Sequence, residues 1–195
     1  MENEKKPIKL IKEFILEFLK ILIISLIIVL PIRYFLIQPF YVKGASMEPS
    51  FHDYEYLIID EITFRFRQPQ RGEIIVFHSP TRSTDYYIKR IIGLPGERIL
   101  IKNGEISIYN EDFPYGIILD ESNYLELGSQ TPGQIDLILG PDEYFVLGDN
   151  RNASLDSRSF GPILRKNIIG RTWLRGWPLD RLKKFEIPFY LPANL

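Results

Sequence analysis

Arg98-Ile99-Leu100-Ile101-Lys102-Asn103-Gly104-Glu105-Ile106-Ser107-Ile108 reads as two short strands closed by a two-residue turn. Asn-Gly between alternating apolar runs is the strongest short-range hairpin signal. Similar runs lie on both sides of it. They are Tyr56-Leu57-Ile58-Ile59, Glu73-Ile74-Ile75-Val76-Phe77 after the Arg71-Gly72 turn, residues 85–92, Glu143-Tyr144-Phe145-Val146-Leu147, and Ile168 to Leu174. Regularly spaced strands without helical patterns between them predict a mostly β, antiparallel domain. Residues 110–134, rich in Pro, Gly, Asp and Asn, read as loops or a poorly ordered insertion. Gly93-Leu94-Pro95-Gly96 is a turn and no phosphate loop.

The N-terminal part has a different character. Residues 1–13 are polar and carry Lys5, Lys6, Lys9 and Lys12, and from Phe14 to Ile37 the chain is dominated by Ile, Leu, Val and Phe. The uncharged stretch Ile21 to Ile32 is too short to span a bilayer alone. A span of about 20 residues takes in Glu17 and Lys20 at one end or Arg33 at the other, and such end charges reach the interface by snorkelling. Tyr34, Phe35, Phe40 and Tyr41 supply an aromatic belt. A cleaved signal peptide is the alternative, against which stand the length of the run and the lack of a small-x-small site after it. The leading lysines place the N-terminus in the cytoplasm, by a margin that Arg33 and Lys43 narrow. The expected organisation is a cytoplasmic tail over 1–13, a transmembrane anchor over 14–37, an extracytoplasmic β domain over 38–185 and a tail over 186–195. The protein is then a single-pass monomer of the plasma (inner) membrane.

Composition narrows the chemistry. With its anchor set aside, a chain of 195 residues leaves one domain with a real core. A net charge of −1 gives no argument for nucleic acid as a partner. The absence of cysteine excludes disulfides, thiolate zinc sites and thiol catalysis. The two histidines, His52 and His78, read as surface or strand-end residues and do not make a metal site. A calcium-loop reading from Asp149 fails, because Arg151, Ala153 and Phe160 stand where oxygen ligands are needed. No cofactor or metal is expected.

The stretch with chemical potential is Gly44-Ala45-Ser46-Met47-Glu48-Pro49-Ser50-Phe51. Ser46 follows a small flexible pair, and Pro49 pushes Glu48 toward an extended conformation. A serine hydroxyl is a weak nucleophile unless a base accepts its proton. The base candidate is Lys89, in Tyr86-Tyr87-Ile88-Lys89-Arg90-Ile91-Ile92. On a strand Tyr87, Lys89 and Ile91 share one face, and Ile88, Arg90 and Ile92 the other. Apolar neighbours would desolvate the amine and favour its neutral form, and the adjacent Arg90 would raise the cost of a second positive charge. The competing reading is an edge-strand lysine with a solvated head. From Ile37 the chain reaches Ser46 in about nine residues, or at most roughly 30 Å, which would keep the serine near the membrane surface.

Three ordered motifs carry a resemblance: Ser46-Met47-x-Pro49; Tyr87-Ile88-Lys89-Arg90 with Gly93-x-Pro95-Gly96-Glu97; and Gly148-Asp149-Asn150-Arg151 with Ser154-x-Asp156-Ser157-Arg158. Behind one apolar span, over residues 14 to 177, they resemble bacterial type I signal peptidase (leader peptidase). The resemblance implies a coiled antiparallel β domain of the signal-peptidase/LexA-like kind and a Ser–Lys dyad, a variant of triad logic. Ser46 would attack the scissile carbonyl and Lys89 would act as general base. Ser154 would hydrogen-bond the Lys89 amine, Asp156 and Arg158 would form an ion pair stiffening their loop, and Gly148-Asp149 would shape its start. Met47 would pack beneath the nucleophile. The Ser46 N–H would serve the oxyanion, while Gly44 stands where many relatives carry a second donor. Substrates would be secreted preproteins cut after small residues at −1 and −3, with Phe40, Val42 and Ile88 lining the pocket. Ordinary core packing is the alternative for those three. The basic run from Arg165 to Lys184, with Trp173 and Trp177, reads as a solvated edge or as a contact with anionic membrane lipid. A soluble self-cleaving repressor peptidase lacks the apolar segment. A membrane-anchored β module that binds exported peptides without cutting them is the non-enzymatic alternative.

Overall fold

The computed structural model describes residues 5–31, 37–82, 84–188 and 190. The chain divides into two units, Met1–Gln38 and Pro39–Leu195. The first is built on helix α1 (Lys5–Pro31). Leu, Lys and Glu favour the helix, against the lower propensity of its many β-branched Ile residues, and proline stands at its end, where the helix can stop. Its side chains from Leu10 to Leu30 are all exposed. Lys12, Glu13, Glu17 and Lys20 interrupt its apolar surface. Among the described residues no helix is long and apolar enough to cross a membrane. The expected anchor over 14–37 therefore falls partly in α1, which starts earlier than expected, and partly, at 32–36, outside the described residues. Tyr34 and Phe35 lie there too.

The second unit is antiparallel β. Its strands are β1 (Ile37–Tyr41), β2 (Tyr56–Asp60), β3 (Ile74–His78), β4 (Tyr86–Gly93), β5 (Arg98–Lys102), β6 (Glu105–Tyr109), β7 (Ile117–Ile118), β8 (Ile135–Ile138), β9 (Glu143–Leu147), β10 (Ile163–Leu164), β11 (Ile168–Trp177) and β12 (Lys183–Lys184). The larger sheet runs β1-β2-β11-β3-β4-β9-β10, with β12 added on β11. The smaller one runs β7-β6-β5-β8. β5 and β6 form the expected hairpin, in register from Arg98 opposite Tyr109 to Lys102 opposite Glu105. Asn103 and Gly104 close it at φ 55° and 86°, the positive angles that the tight turn demands.

The continuous apolar runs of β3, β4 and β9 have a direct cause: these strands are buried on both faces. Ile75, Phe77, Ile91, Tyr144 and Val146 enter one apolar cluster with Phe64, Ile163 and Ile168. On the opposite face, Ile74 and Val76 pack with Val42, Met47, Phe51, Leu57 and Ile59. Ile92, Phe145 and Leu147 pack with Ile99, Ile101, Ile106 and Ile108 of the smaller sheet. Successive side chains of one strand thus serve different clusters.

Segment 110–134 is loop apart from β7. It is fastened by buried Leu119, Leu125 and Thr131 and by an ion pair from Glu121 to Arg151 at 2.5 Å. The basic run near the C-terminus is largely turned toward acceptors of the domain. Arg171 pairs with Asp60 at 3.0 Å, and Arg175 pairs with buried Glu55 at 2.9 Å. Arg165 donates to the Phe64 carbonyl at 2.6 Å. Two short α-helices, α2 (Thr63–Phe66) and α3 (Ser157–Phe160), lie between the strands.

Candidate active site

The turn that carries Ser46 is pinned from beneath. Met47 and Phe51 are fully buried in the cluster against β3. Residues 46–50 form consecutive turns, with Glu48 N–H donating to the Ala45 carbonyl at 3.2 Å and Phe51 N–H to the Met47 carbonyl at 2.9 Å. Pro49 lies within these turns. Gly44, at φ +89°, takes a conformation that side chains disfavour, and its N–H donates to Asp53 Oδ1 at 2.8 Å. With its neighbours on either side tied down, Ser46 is left half-buried with its hydroxyl free to face β4.

Lys89 lies mid-strand in β4, opposite Ile75 of β3. It is only 4% exposed. Its Nζ is 2.8 Å from Ser46 Oγ and 2.8 Å from the Ile88 carbonyl, and it sits 5.8 Å from the centre of the Tyr87 ring. Burial pushes the amine down to about 8, against the pull of the Asp156 and Asp149 carboxylates. An amine with that value is partly neutral near neutral pH and can accept a proton, which an exposed lysine cannot do.

Arg90 acts otherwise than its adjacency to Lys89 suggests. Its guanidinium is buried and neutralised by Asp149, with Nε to Oδ1 at 2.8 Å and Nη2 to Oδ2 at 2.6 Å. Burial, and not repulsion from Arg90, is what lowers Lys89. The same guanidinium donates to the Gly72 carbonyl at 2.9 Å and to Ser50 Oγ at 3.2 Å. It thereby joins three loops around the serine.

The 148–161 loop forms the third wall. Gly148 is pressed between two site residues: a β-carbon there would lie 2.2 Å from Ser154 Oγ and 2.4 Å from the Ser46 carbonyl oxygen. Asp156, fully buried, caps α3 through the Arg158 N–H and accepts from the Gly148 N–H at 3.1 Å. Arg158 grips it at 2.8 and 2.7 Å. Burial alone would raise the Asp156 carboxyl, but the Arg158 contact, the Gly148 amide, the Arg158 charge and the nearby Ser154 hydroxyl hold it below the usual range. The pair is thus an interior one, unlike the surface pairs that contribute little. Ser154 Oγ is buried and, among the described residues, is in full hydrogen-bonding geometry with neither Lys89 nor any other group. The amine takes the Ile88 carbonyl as its second partner instead.

A cleft of about 230 Å³ opens beside the pair, and its lining includes Ser46, Lys89, Phe40, Val42 and Ile88. Tyr41, Tyr86, Tyr87 and Leu155 also line it. Sequence reasoning did not single out those four as lining residues. Asn150 was overlooked as well, although it sits inside a quoted motif. Its N–H donates to the Ser46 carbonyl at 3.1 Å, and its Nδ2 to the Ala45 carbonyl at 3.1 Å. His52 meets Glu48 at 3.4 Å rather than Ser46. Among the described residues no cluster of acidic or histidine side chains is set to hold a metal ion.

A model of the family described as "Signal peptidase, peptidase S26" matches residues 15–177. The chain is 36% identical over 173 residues to a probable signal peptidase I-2 of Synechocystis sp., covering 86% of this chain and 75% of that protein. It is 35% identical over 182 residues to a signal peptidase I of Leptolyngbya laminosa, covering 89% of this chain and 85% of that protein. A crystal structure of a signal peptidase I from Enterococcus faecalis V583 is 30% identical, with a TM-score of 0.44, covering 54% of this chain and 97% of that one.

Proposed function

We propose that this chain, which belongs to the signal peptidase family, peptidase S26, is a membrane-bound endopeptidase that removes N-terminal signal peptides from exported preproteins. Ser46 is its nucleophile and Lys89 its general base. The observation that carries this reading is the 2.8 Å contact between Ser46 Oγ and an almost fully buried lysine amine held at about 8.

The reaction follows from that contact. Neutral Lys89 takes the Ser46 proton as Oγ bonds to the scissile carbonyl carbon, whose oxygen becomes the oxyanion. The Ser46 N–H meets this charge. The tetrahedral species collapses when the C–N bond breaks and the Lys89 ammonium returns its proton to the leaving amine. That leaves an acyl-enzyme on Ser46 and a neutral amine. Lys89 then takes a proton from water, hydroxide adds to the acyl carbon, and the Ser46 oxygen leaves with the proton. While Lys89 is an ammonium it has three protons to place. Ser46 Oγ and the Ile88 carbonyl account for two, and the unspent acceptor capacity of Ser154 Oγ suits it to the third. Asp156 with Arg158, Arg90 with Asp149, Gly148 and Met47 support the geometry without touching substrate.

The cleft supports a preference for small side chains at −1 and −3: Phe40, Val42 and Ile88 present bulk and apolar surface in a space of about 230 Å³. The anchor is the apolar stretch 14–37, of which α1 supplies the part from Phe14 to Pro31. Ile, Leu and Phe side chains exposed all round it are what water disfavours and lipid accepts, and its charged residues lie toward its lysine-bearing end. The β unit then works on the extracytoplasmic side.

The test is cleavage of a preprotein bearing Ala-x-Ala at its junction by the detergent-solubilised full chain. Ser46→Ala and Lys89→Met should both abolish it, and wild type should show an acidic limb near pH 8. Wild-type cleavage that survives both substitutions would sink the dyad. A folded wild type that cuts no such substrate would favour a peptide-binding module.

A further inference from the structure

We infer that Tyr190 is a positioning residue for Ser46 and Lys89, acting through Tyr124 and Arg90. This rests on the peptidase reading above.

Arg90 ties the Ser50 end of the nucleophile turn, the Gly72 turn and Asp149 together. Its edges are spent on these acceptors, so only its flat faces remain for water to attack. One face is covered by the Tyr124 ring, 3.9 Å from the guanidinium carbon. Tyr124 is in turn held from two directions. Its hydroxyl donates to Glu121 Oε1 at 2.5 Å, and Glu121 is paired with Arg151. Tyr190 meets its ring edge-on, with centroids 6.2 Å apart at 83°, and Tyr190 OH donates to Tyr124 OH at 3.4 Å.

Tyr190 also bears on the second of the loops that Arg90 joins. A β-carbon added at Gly72 would come within 2.8 Å of Tyr190 Cε2 and 2.6 Å of Pro188 Cγ. Pro188 and Tyr190, in the segment expected to be a tail, are therefore packed on the turn whose carbonyl accepts from Arg90. Burial pushes the Tyr190 hydroxyl up to about 12, so it stays a neutral donor throughout the working range. The charged groups that act on Tyr190 are Arg90, Arg71 and Glu121. A buried ion pair holds its geometry only while water is kept from it. With the Tyr190 ring gone, Tyr124 loses its edge contact, water reaches Arg90 and Asp149, and the loop carrying Gly148 and Asn150 loosens against Ser46.

The experiment compares wild type, Tyr190→Ala and Tyr190→Phe in full-length, detergent-solubilised protein, with Ile163→Val as a stability control from a different apolar cluster. Preprotein cleavage is followed from pH 6 to 10, and amide exchange is read in the same samples. Tyr190→Ala should lower kcat about tenfold with KM within about twofold. Its acidic limb should move to higher pH, because water admitted near Lys89, faced by Asp149 and Asp156, favours the ammonium. Tyr190→Phe, which keeps the ring, should recover kcat to within about threefold. Ile163→Val should lose stability and keep kcat. The Asn150 N–H, bonded to the Ser46 carbonyl, should exchange faster in Tyr190→Ala. Should the alanine variant not fold, Tyr124→Leu removes the stacked ring while keeping bulk, and the same readouts apply. Unchanged kcat and pH limb with only a lower Tm would overturn the inference, and so would an equal loss of kcat in Ile163→Val. A wild type that does not cleave refutes the peptidase reading instead. The Asn150 exchange rate, which needs no turnover, still decides whether Tyr190 holds the loop.

Discussion

Lys89→Met should make the protein more stable while destroying its activity. Burial lowers the Lys89 amine from its ordinary 10.5 to about 8. At about 1.4 kcal/mol per tenfold change in proton affinity, placing the ammonium in the folded protein at neutral pH costs about 3 kcal/mol. Methionine has similar length and no charge, so that cost disappears. Against it stands a lost partner for the Ile88 carbonyl, worth about 1 kcal/mol. The net gain is about 2 kcal/mol, or roughly 4–8 °C in Tm for a unit of this size. The sign with pH is distinctive. Below about 8 both folded and unfolded chains carry the proton and wild type bears the full penalty. Between about 8 and 10.5 the unfolded chain holds the proton that the folded one has released, so wild type gains stability as pH rises. The gap between variant and wild type should therefore be widest at pH 7 and close toward pH 10.5. Urea unfolding followed by tryptophan fluorescence measures it in the β unit, since Trp173 and Trp177 both lie on β11. A variant no more stable at pH 7, or a gap that stays constant across this window, would refute the buried-amine argument.

Gly148→Ala places a methyl group 2.2 Å from Ser154 Oγ and 2.4 Å from the Ser46 carbonyl oxygen; cleavage should fall at least about tenfold with a loss of about 1–3 kcal/mol in urea unfolding. Asp149→Ala leaves the Arg90 guanidinium buried and unpaired and should destabilise by about 3–5 kcal/mol, read by the same unfolding curves. Asp156→Ala removes a helix cap, the acceptor for Gly148 N–H and the partner of Arg158 together. Its unfolding free energy should fall more than that of Arg158→Ala, which leaves the Gly148 and cap contacts in place.

Local pattern carried the frame of this protein and stopped at its long-range charges. The Asn103-Gly104 turn and the runs at 56–59, 73–77, 85–92, 143–147 and 168–174 each correspond to a strand or turn, because pleat, period and turn chemistry are local properties. The short strand β8, with its sequence Ile135-Asp136-Leu137-Ile138, was hidden beside a segment dominated by turn residues. Ser46 and Lys89 could be matched by motif, and the structure brings them together across 43 positions. That Arg90 spends its charge on Asp149, 59 positions on, could not be read from its neighbour Lys89. Nor could the Ile88 carbonyl be foreseen as the second partner of the amine, since backbone acceptors leave no trace in side-chain identity. Tyr190 looked like part of a tail because only tertiary packing gives a lone aromatic its surroundings.

β2, the strand that follows the Ser46 turn, pairs with β11 far along the chain, and in the sheet it joins β3 and β4 through β11. Asn150 reaches back 105 positions to Ala45, and Arg175 reaches 120 to Glu55. Contacts this distant along the chain close late and slowly during folding. The strand that follows Ser46 and the strand that carries Lys89 therefore share one hydrogen-bonded sheet only by way of β11, so the site depends on a strand more than 75 positions beyond either residue.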